Sequence, residues 1–374
     1  MGIVSDHLND TDTLIGEDTG KKSNKKDKEV GSLLDKLKKS GQIKVKTVAE
    51  STFFKPKDIA PTRVPIINVA FNGELTGGVS SGLLLIAGKS RHFKSNLGLV
   101  GVHAYMNTNP DAVCLFYDSE FGITPEYLVA HGIDNSRVLH IPITNIEEFK
   151  FDIVQRINDI QLGDKVIIFI DSLGNLPSKK ECDNAMENKS SADMTRSREL
   201  KSLTRMITGE LTVKNIPCIA ICHTYTTLEL YAKDVISGGT GLMYSSNAAW
   251  IIGRSQEKDG TELLGYNFTI NIEKSRFVKE KSKLSFLVKF DGGISKYSGL
   301  LDLALESGAV RKPANGWYSK VDTESGEIED KKYREADTHT KDFWNSILLD
   351  KTFHEFVKNK YKLAVSSIQD LTED

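Results

Sequence analysis

The residues Gly88-Lys89-Ser90-Arg91-His92-Phe93-Lys94-Ser95 carry the densest chemical information in this chain. They follow the apolar run Leu83-Leu84-Leu85-Ile86-Ala87 and precede a segment, Asn96 to Met106, that reads as a helix. Strand, loop, Lys-Ser and helix is the layout of a loop that cradles a nucleoside triphosphate. Backbone N–H groups turn inward on phosphate oxygens, and the helix N-terminus adds partial positive charge. In that layout Lys94 reaches the β- and γ-phosphates, and the Ser95 hydroxyl binds Mg2+. The pattern G-x-x-x-x-G-K-[ST] expects glycine where this chain has Phe93, so the string alone is a weak match. The plain alternative is a strand-to-helix turn with a surface lysine.

Other segments add chemistry to that loop. Val166-Ile167-Ile168-Phe169-Ile170-Asp171-Ser172 is an apolar run ending in an acid, which predicts a carboxylate beside the Mg2+. The run from Ala112 to Tyr117 leads into Asp118-Ser119-Glu120. A carboxylate there can orient an attacking water, and Glu120 is the candidate; alternatively Asp118 and Glu120 only cap a loop. Tyr127 could stack on an adenine face, although an aromatic at that distance more often belongs to the core.

Cys218-Ile219-Ala220-Ile221-Cys222-His223 reads as a strand with a polar end. It is followed by a long segment, Thr224 to Ser237 with Tyr225 inside it, and then by Gly238-Gly239-Thr240-Gly241. Such a loop stays mobile until a ligand orders it. Asn175 to Asp193, with Lys179 and Lys180, is polar and leads into a helix bearing Arg196, Arg198, Lys201 and Arg205. The last three recur at three and four and share a face, which fits contact with a phosphate backbone. The bland reading is a solvated face balanced by Asp193 and Glu199.

These residues need a scaffold. Strands are expected over Leu83–Ala87, Val113–Tyr117, Val166–Ile170, Cys218–Ile221, Ala248–Ile252 and Phe268–Ile272. Continuous apolar runs mean strands buried on both faces, hence an α/β core with a mainly parallel sheet. Residues 1–30 are polar and charged and are expected to be disordered. Residues 31–63 hold a short amphipathic helix, Ser32–Leu37, and an isolated period-two strand, Ile43–Val48, that needs an edge to join. The ATPase-like core is expected over 64–297 and a small helical or α/β unit over 298–374.

With 374 residues, 39% hydrophobic and 27% charged, the chain can bury a sizeable core. A net charge of −2 excludes a global polycation, so nucleic acid would have to meet a local patch. No apolar run approaches the roughly 20 residues that cross a bilayer. No secretory leader is visible, and a cytoplasmic location is expected. Cys114, Cys182, Cys218 and Cys222 lack zinc-site spacing and read mostly as buried free thiols.

Taken together, the segments GKSRHFKS, LFYDSEFGITPEYL, VIIFIDSLGNLPSKK, NIPCIAICHTY, ISGGTGLMYS and VKFDGGISKYSGLLDLAL resemble RecA-family recombinases, most closely the UvsX branch of large tailed phages. The likeness runs from about Phe53 to Tyr318, with all six segments in order and correctly spaced, and the phage branch shares the departure at Phe93. The resemblance implies that residues Gly88 through Asn96 bind ATP with Mg2+ at Ser95 and Asp171. It implies that Glu120 activates water and Tyr127 stacks on adenine. His223 falls where the family has a phosphate-sensing glutamine, a departure, since imidazole charge varies with pH as an amide's does not. Lys274 and Arg276 fall where the family places two lysines that reach a neighbouring subunit's nucleotide. Asn175–Asp193 and Thr224–Ser237 correspond to two DNA-binding loops, and the N-terminal helix and strand to an arm that docks on the next subunit. The implied activity is DNA-dependent ATP hydrolysis coupled to strand exchange, in a helical filament on single-stranded DNA that pairs with double-stranded DNA. It would serve recombination, repair and recombination-dependent replication, alongside a single-strand-binding protein and a mediator, with no membrane partner. A RecA-fold hexameric helicase is the alternative.

Overall fold

The computed structural model describes residues 31–43, 45–51, 58–187, 195–227 and 232–364. The chain divides into two units, Met1–Pro56 and Lys57–Asp374. The expected tail, 1–30, lies outside the described residues. In the first unit, residues 31–39 form the expected helix, with Leu33, Leu34 and Leu37 exposed. The strand expected over 43–48 does not form: residues 45–47 are not in a strand, and Ile43, Val45 and Val48 are exposed. A period-two pattern becomes a strand only where an edge supplies backbone partners. Among the described residues of this unit a turn follows instead, with Glu50 N–H donating to the Thr47 carbonyl and its side chain paired to Lys38 at 2.9 Å.

The second unit is built on a ten-stranded sheet. Its strands are β1 (Gly82–Gly88), β2 (Val113–Asp118), β3 (Val138–Pro142), β4 (Val166–Asp171), β5 (Pro217–Thr226), β6 (Asp234–Ile236), β7 (Ala248–Asp259), β8 (Glu262–Ser275), β9 (Lys283–Lys289) and β10 (Gly293–Ile294). The order is β10-β9-β8-β7-β1-β5-β4-β2-β3, with β6 hydrogen-bonded to β5. All pairs from β7 to β3 are parallel; β7 to β10 extend the sheet antiparallel. The helices are α1 (Pro65–Asn72), α2 (Lys94–Thr108), α3 (Pro125–Ala130), α4 (Ile146–Asp159), α5 (Lys179–Met186), α6 (Thr195–Val213), α7 (Thr240–Ser245), α8 (Leu300–Ser307), α9 (Lys341–Ile347) and α10 (Lys351–Tyr361).

Every residue of β1 is buried, as the unbroken apolar run requires. Its side chains alternate between two core layers. Leu84 and Ile86 join Leu97, Phe169 and Ile221 on the α2 face, while Leu83 and Leu85 join Phe149, Ile153 and Leu203 under α4 and α6. Helix α4 buries Ile146, Phe149, Ile153 and Ile157, spaced at three and four, and the Asn145 side chain caps its first turn. A side chain at Gly98 would put its Cβ 2.5 Å from the Phe169 ring, so this glycine lets α2 sit close on the sheet.

The six expected strands are all present, but β7 and β8 run well past their apolar centres as a long hairpin. The C-terminal part adds α8, a small sheet of β11 (Val310–Ala314), β12 (Trp317–Lys320) and β13 (Tyr333–Arg334), then α9 and α10. Phe343, Trp344, Phe353 and Val357 belong to the same apolar cluster as Leu300 and Leu303. Cys114, Cys218 and Cys222 are buried free thiols, and burial raises the pKa of each; Cys182 is half-buried. Among the described residues, no helix is long and apolar enough to cross a membrane.

Candidate nucleotide site

Strand β1 ends at Gly88 and α2 begins at Lys94, so the loop lies between them. Arg91 (φ 61°) and Phe93 (φ 59°) both adopt the left-handed conformation that glycine takes freely. For ordinary L-residues this costs about 1–2 kcal/mol each. Three contacts from the antiparallel strands offset it. Arg254 Nη1 donates to the Arg91 carbonyl at 3.1 Å, its guanidinium 4.6 Å from the Tyr266 ring centre. His92 Nδ1 donates to the Ile252 carbonyl at 2.7 Å. The Phe93 ring stacks on Phe268 (5.1 Å, 28°) and lies against Phe286. The backbone shape expected of glycine is thus kept by a residue whose ring is anchored in the core. Phe93→Gly should therefore destabilise the protein by about 1–3 kcal/mol, because the lost ring burial outweighs the relieved strain. Denaturant midpoints measure this; a gain in stability would mean the ring contributes nothing.

The charged groups of the site converge below the loop. Lys94 is 7% exposed, and its Nζ donates to the Lys89 carbonyl at 2.9 Å. Burial lowers its pKa, while Glu120 and Asp171 pull it back up. Asp171 is 2% exposed, and its Oδ1 has no hydrogen-bond partner. Burial pushes this carboxyl up to about 6, a shift opposed by a hydrogen bond from Ser95 and reinforced by Glu120 and Asp118. A carboxyl that holds its proton more tightly folded than unfolded contributes stability below its unfolded pKa of 3.8 and loses it as pH rises to about 6. An unpartnered buried carboxylate oxygen beside a hydroxyl fits a hard divalent cation. Among the described residues no cluster of three or more His, Cys, Asp or Glu could hold a metal by itself.

Glu120 Oε1 accepts from Ser172 Oγ at 2.7 Å, Asn175 Nδ2 at 3.2 Å and His223 Nε2 at 3.0 Å. The His223 bond holds this carboxyl below its ordinary range, with Ser172 and Lys94 acting in the same direction against burial. Gly174 permits the approach: a Cβ there would lie 2.4 Å from His223 Cδ2. Ser90 to Asn96, Glu120, Tyr127, Asp171 and His223 line one open cleft of about 410 Å³. That is within the usual size of small-molecule sites. Tyr127 is half-buried in its wall, its hydroxyl bonded to Asn96 and its ring packed on His131. Gly88 and Lys89 do not line the cleft, and Lys89 is paired with Asp234 of β6 at 3.4 Å.

The other expected site residues are distributed differently. The segment 175–193 is not all loop: it contains α5, closed by a Ser178–Glu181 capping box, and 188–194 lie outside the described residues. Lys179 and Lys180 begin that helix and are exposed. Arg196 does not join the basic face of α6; it donates to the Leu173, Gly174 and Leu176 carbonyls at 3.2, 2.7 and 2.9 Å. Arg198, Lys201 and Arg205 do share an exposed face. The segment 224–237 is a hairpin of β5 and β6 rather than a loop, with Thr224 opposite Ile236 and Tyr225 opposite Val235. Residues 228–231 lie outside the described residues. Tyr225 is exposed, and Gly238 and Gly239 use positive φ to open α7. Lys274 is not directed at the cleft; its Nζ donates to the Met243, Tyr244 and Ser246 carbonyls at 3.1, 2.6 and 2.7 Å, at the C-terminus of α7. Arg276 is exposed beside it in sequence.

A phosphate loop between a central parallel strand and its helix, acids at the ends of two neighbouring strands and an antiparallel extension define the class: a RecA-type P-loop core. Comparison with known proteins agrees. The family model described as RecA N-terminal domain matches residues 63–295, and that of the bacteriophage T4 recombination and repair protein, C-terminal domain, matches 297–357. Over 327 residues the chain is 51% identical to the "Recombination and repair protein" of Enterobacteria phage T4, covering 86% of this chain and 84% of that one. It is 24% identical over 270 residues to "Protein RecA" of Cutibacterium acnes (71% of this chain, 75% of that one) and 26% to that of Streptomyces coelicolor (71% and 69%). The chain belongs to the RecA family, in the branch of the phage T4 recombination and repair protein.

Proposed function

We propose that this chain is an ATP-dependent DNA strand-exchange recombinase that assembles as a helical filament on single-stranded DNA. The observation that carries the reading is the convergence of three hydrogen bonds on Glu120 Oε1. Its donors come from His223, at the base of the β5–β6 hairpin, and from Ser172 and Asn175, at the base of the segment holding α5. A group that deprotonates water at the γ-phosphate is thereby tied to both segments expected to touch DNA. Lys94 holds the β- and γ-phosphates, and Glu120, kept ionised, takes the proton of the attacking water. Mg2+ at Ser95 and Asp171 would neutralise charge developing on the phosphates. DNA that repositions the hairpin moves His223 and so alters how Glu120 is aimed. Arg198, Lys201 and Arg205 would meet the phosphate backbone without reading sequence, as a recombinase requires. Arg276, exposed and outside this cleft, is free to serve the site of an adjacent subunit.

The test is ATP turnover with and without single-stranded DNA, alongside strand exchange with a homologous duplex. DNA should raise turnover by about tenfold or more, the size of a typical allosteric coupling. Equal rates, or duplex unwinding without exchange, would overturn the reading in favour of a plain ATPase or a helicase.

A further inference from the structure

Asp118 is a buried carboxylate, 2% exposed, at the end of β2, and it does not itself line the cleft. Its Oδ1 accepts the backbone N–H of Glu120 at 3.1 Å and of Phe121 at 2.8 Å. Its Oδ2 lies 3.1 Å from His140 Nε2, which must be the donor because an ionised carboxylate only accepts. His140 belongs to β3, the last strand on that side of the sheet, and its ring packs on Phe116. The turn held by these bonds is not one the chain would adopt unaided. Phe121 sits at φ 55° and is 61% exposed, so little packing offsets the left-handed backbone. Ser119 ties the start of the turn to the end of β4, its N–H donating to the Asp171 carbonyl at 2.8 Å and its hydroxyl to the Ser172 carbonyl at 2.8 Å. The two N–H bonds to Asp118 hold the Glu120 and Phe121 backbone that follows, and with it the direction in which the Glu120 side chain leaves.

We propose that Asp118 and His140 are positioning residues for ATP hydrolysis: the carboxylate sets the Glu120 turn and the imidazole holds the carboxylate from the edge of the sheet. The inference rests on Glu120 as the base. A base displaced by about 1 Å loses on the order of 10²-fold in rate while ground-state binding is untouched. The signature is therefore in kcat, not in nucleotide affinity, which depends on the phosphate loop.

The experiment compares Asp118→Ala, Asp118→Asn, His140→Ala and Glu120→Gln in full-length protein. It reads kcat and KM for ATP with saturating single-stranded DNA, affinity for a fluorescent ATP analogue, and thermal midpoint. Asp118→Ala should lower kcat by about 30-fold or more with affinity within about threefold. Asp118→Asn keeps an oxygen that accepts both N–H bonds and should recover most of the rate. His140→Ala, at a half-exposed site that threatens the fold least, should lower kcat by about three- to tenfold at unchanged affinity. It remains decisive if Asp118→Ala does not fold. Equal losses in Asp118→Ala and Asp118→Asn, or an unchanged kcat in His140→Ala, would overturn the proposal. If Glu120→Gln itself turns over normally, the reading of Glu120 has failed; if it is inactive while Asp118→Ala and His140→Ala keep wild-type rates, only the positioning role has.

Discussion

Lys94→Ala should abolish ATP turnover, lowering kcat/KM by at least about 10²-fold, the loss expected when an electrostatic clamp on transferring phosphate is removed. Lys94 is the buried cation of the cleft, while Lys89 stands outside it, paired with Asp234. Its Nζ donates to the Lys89 carbonyl, across the loop that would hold the phosphates. The variant should fold normally, because burial already works against the charge of Lys94 and a neutral side chain relieves that cost. Steady-state hydrolysis together with a thermal midpoint separates the two effects. Residual turnover within about tenfold of wild type would remove the phosphate-loop assignment, since the positive end of α2 alone cannot replace a desolvated ammonium.

What the sequence made legible follows burial. Strands β1 and β4 are covered on both faces, so their apolar runs identify them and bring Lys94, Ser95 and Asp171 together by topology alone. Strand β3, half-exposed at the sheet edge, has no such run, and β9 carries lysines at both ends. The β5–β6 hairpin was hidden because its paired residues, Thr224 to Thr226 and Asp234 to Ile236, lack a long apolar stretch. The isolated alternation at 43–48 shows the opposite case, a strand pattern with no pairing edge among the described residues of its own unit. Within the site, the missing partners were side chains distant in sequence. Arg254 supports Arg91, His92 reaches Ile252, and His223 reaches Glu120; each pair is separated by more than a hundred residues. Arg196 and Lys274 lie in basic segments, yet each donates to three backbone carbonyls, at a loop and at a helix C-terminus. Helical spacing reports which residues share a face, not which backbone groups lack partners.

Glu120→Gln should leave ATP binding within about threefold of wild type while lowering hydrolysis by about 10²–10⁴-fold, the range of a lost general base. The substitution changes little else. The amide oxygen of glutamine can still accept from Ser172, Asn175 and His223, so the three bonds that hold the side chain persist. What disappears is the ability to take a proton, together with the negative charge near Lys94. Losing that charge strengthens the hold of Lys94 on phosphate, since a competing anion is gone. With ATP retained and not consumed, the hairpin anchored at His223 should stay in its nucleotide-bound arrangement. The complex with single-stranded DNA should then persist far longer than that of the wild-type protein. Single-turnover hydrolysis and the dissociation rate of labelled DNA, measured on the same preparation, test both halves. Normal hydrolysis would make Glu120 a structural acceptor for its three donors and move the base elsewhere. Slow hydrolysis with unchanged DNA release would keep Glu120 as the base and break the proposed link from that carboxylate, through His223, to the β5–β6 hairpin.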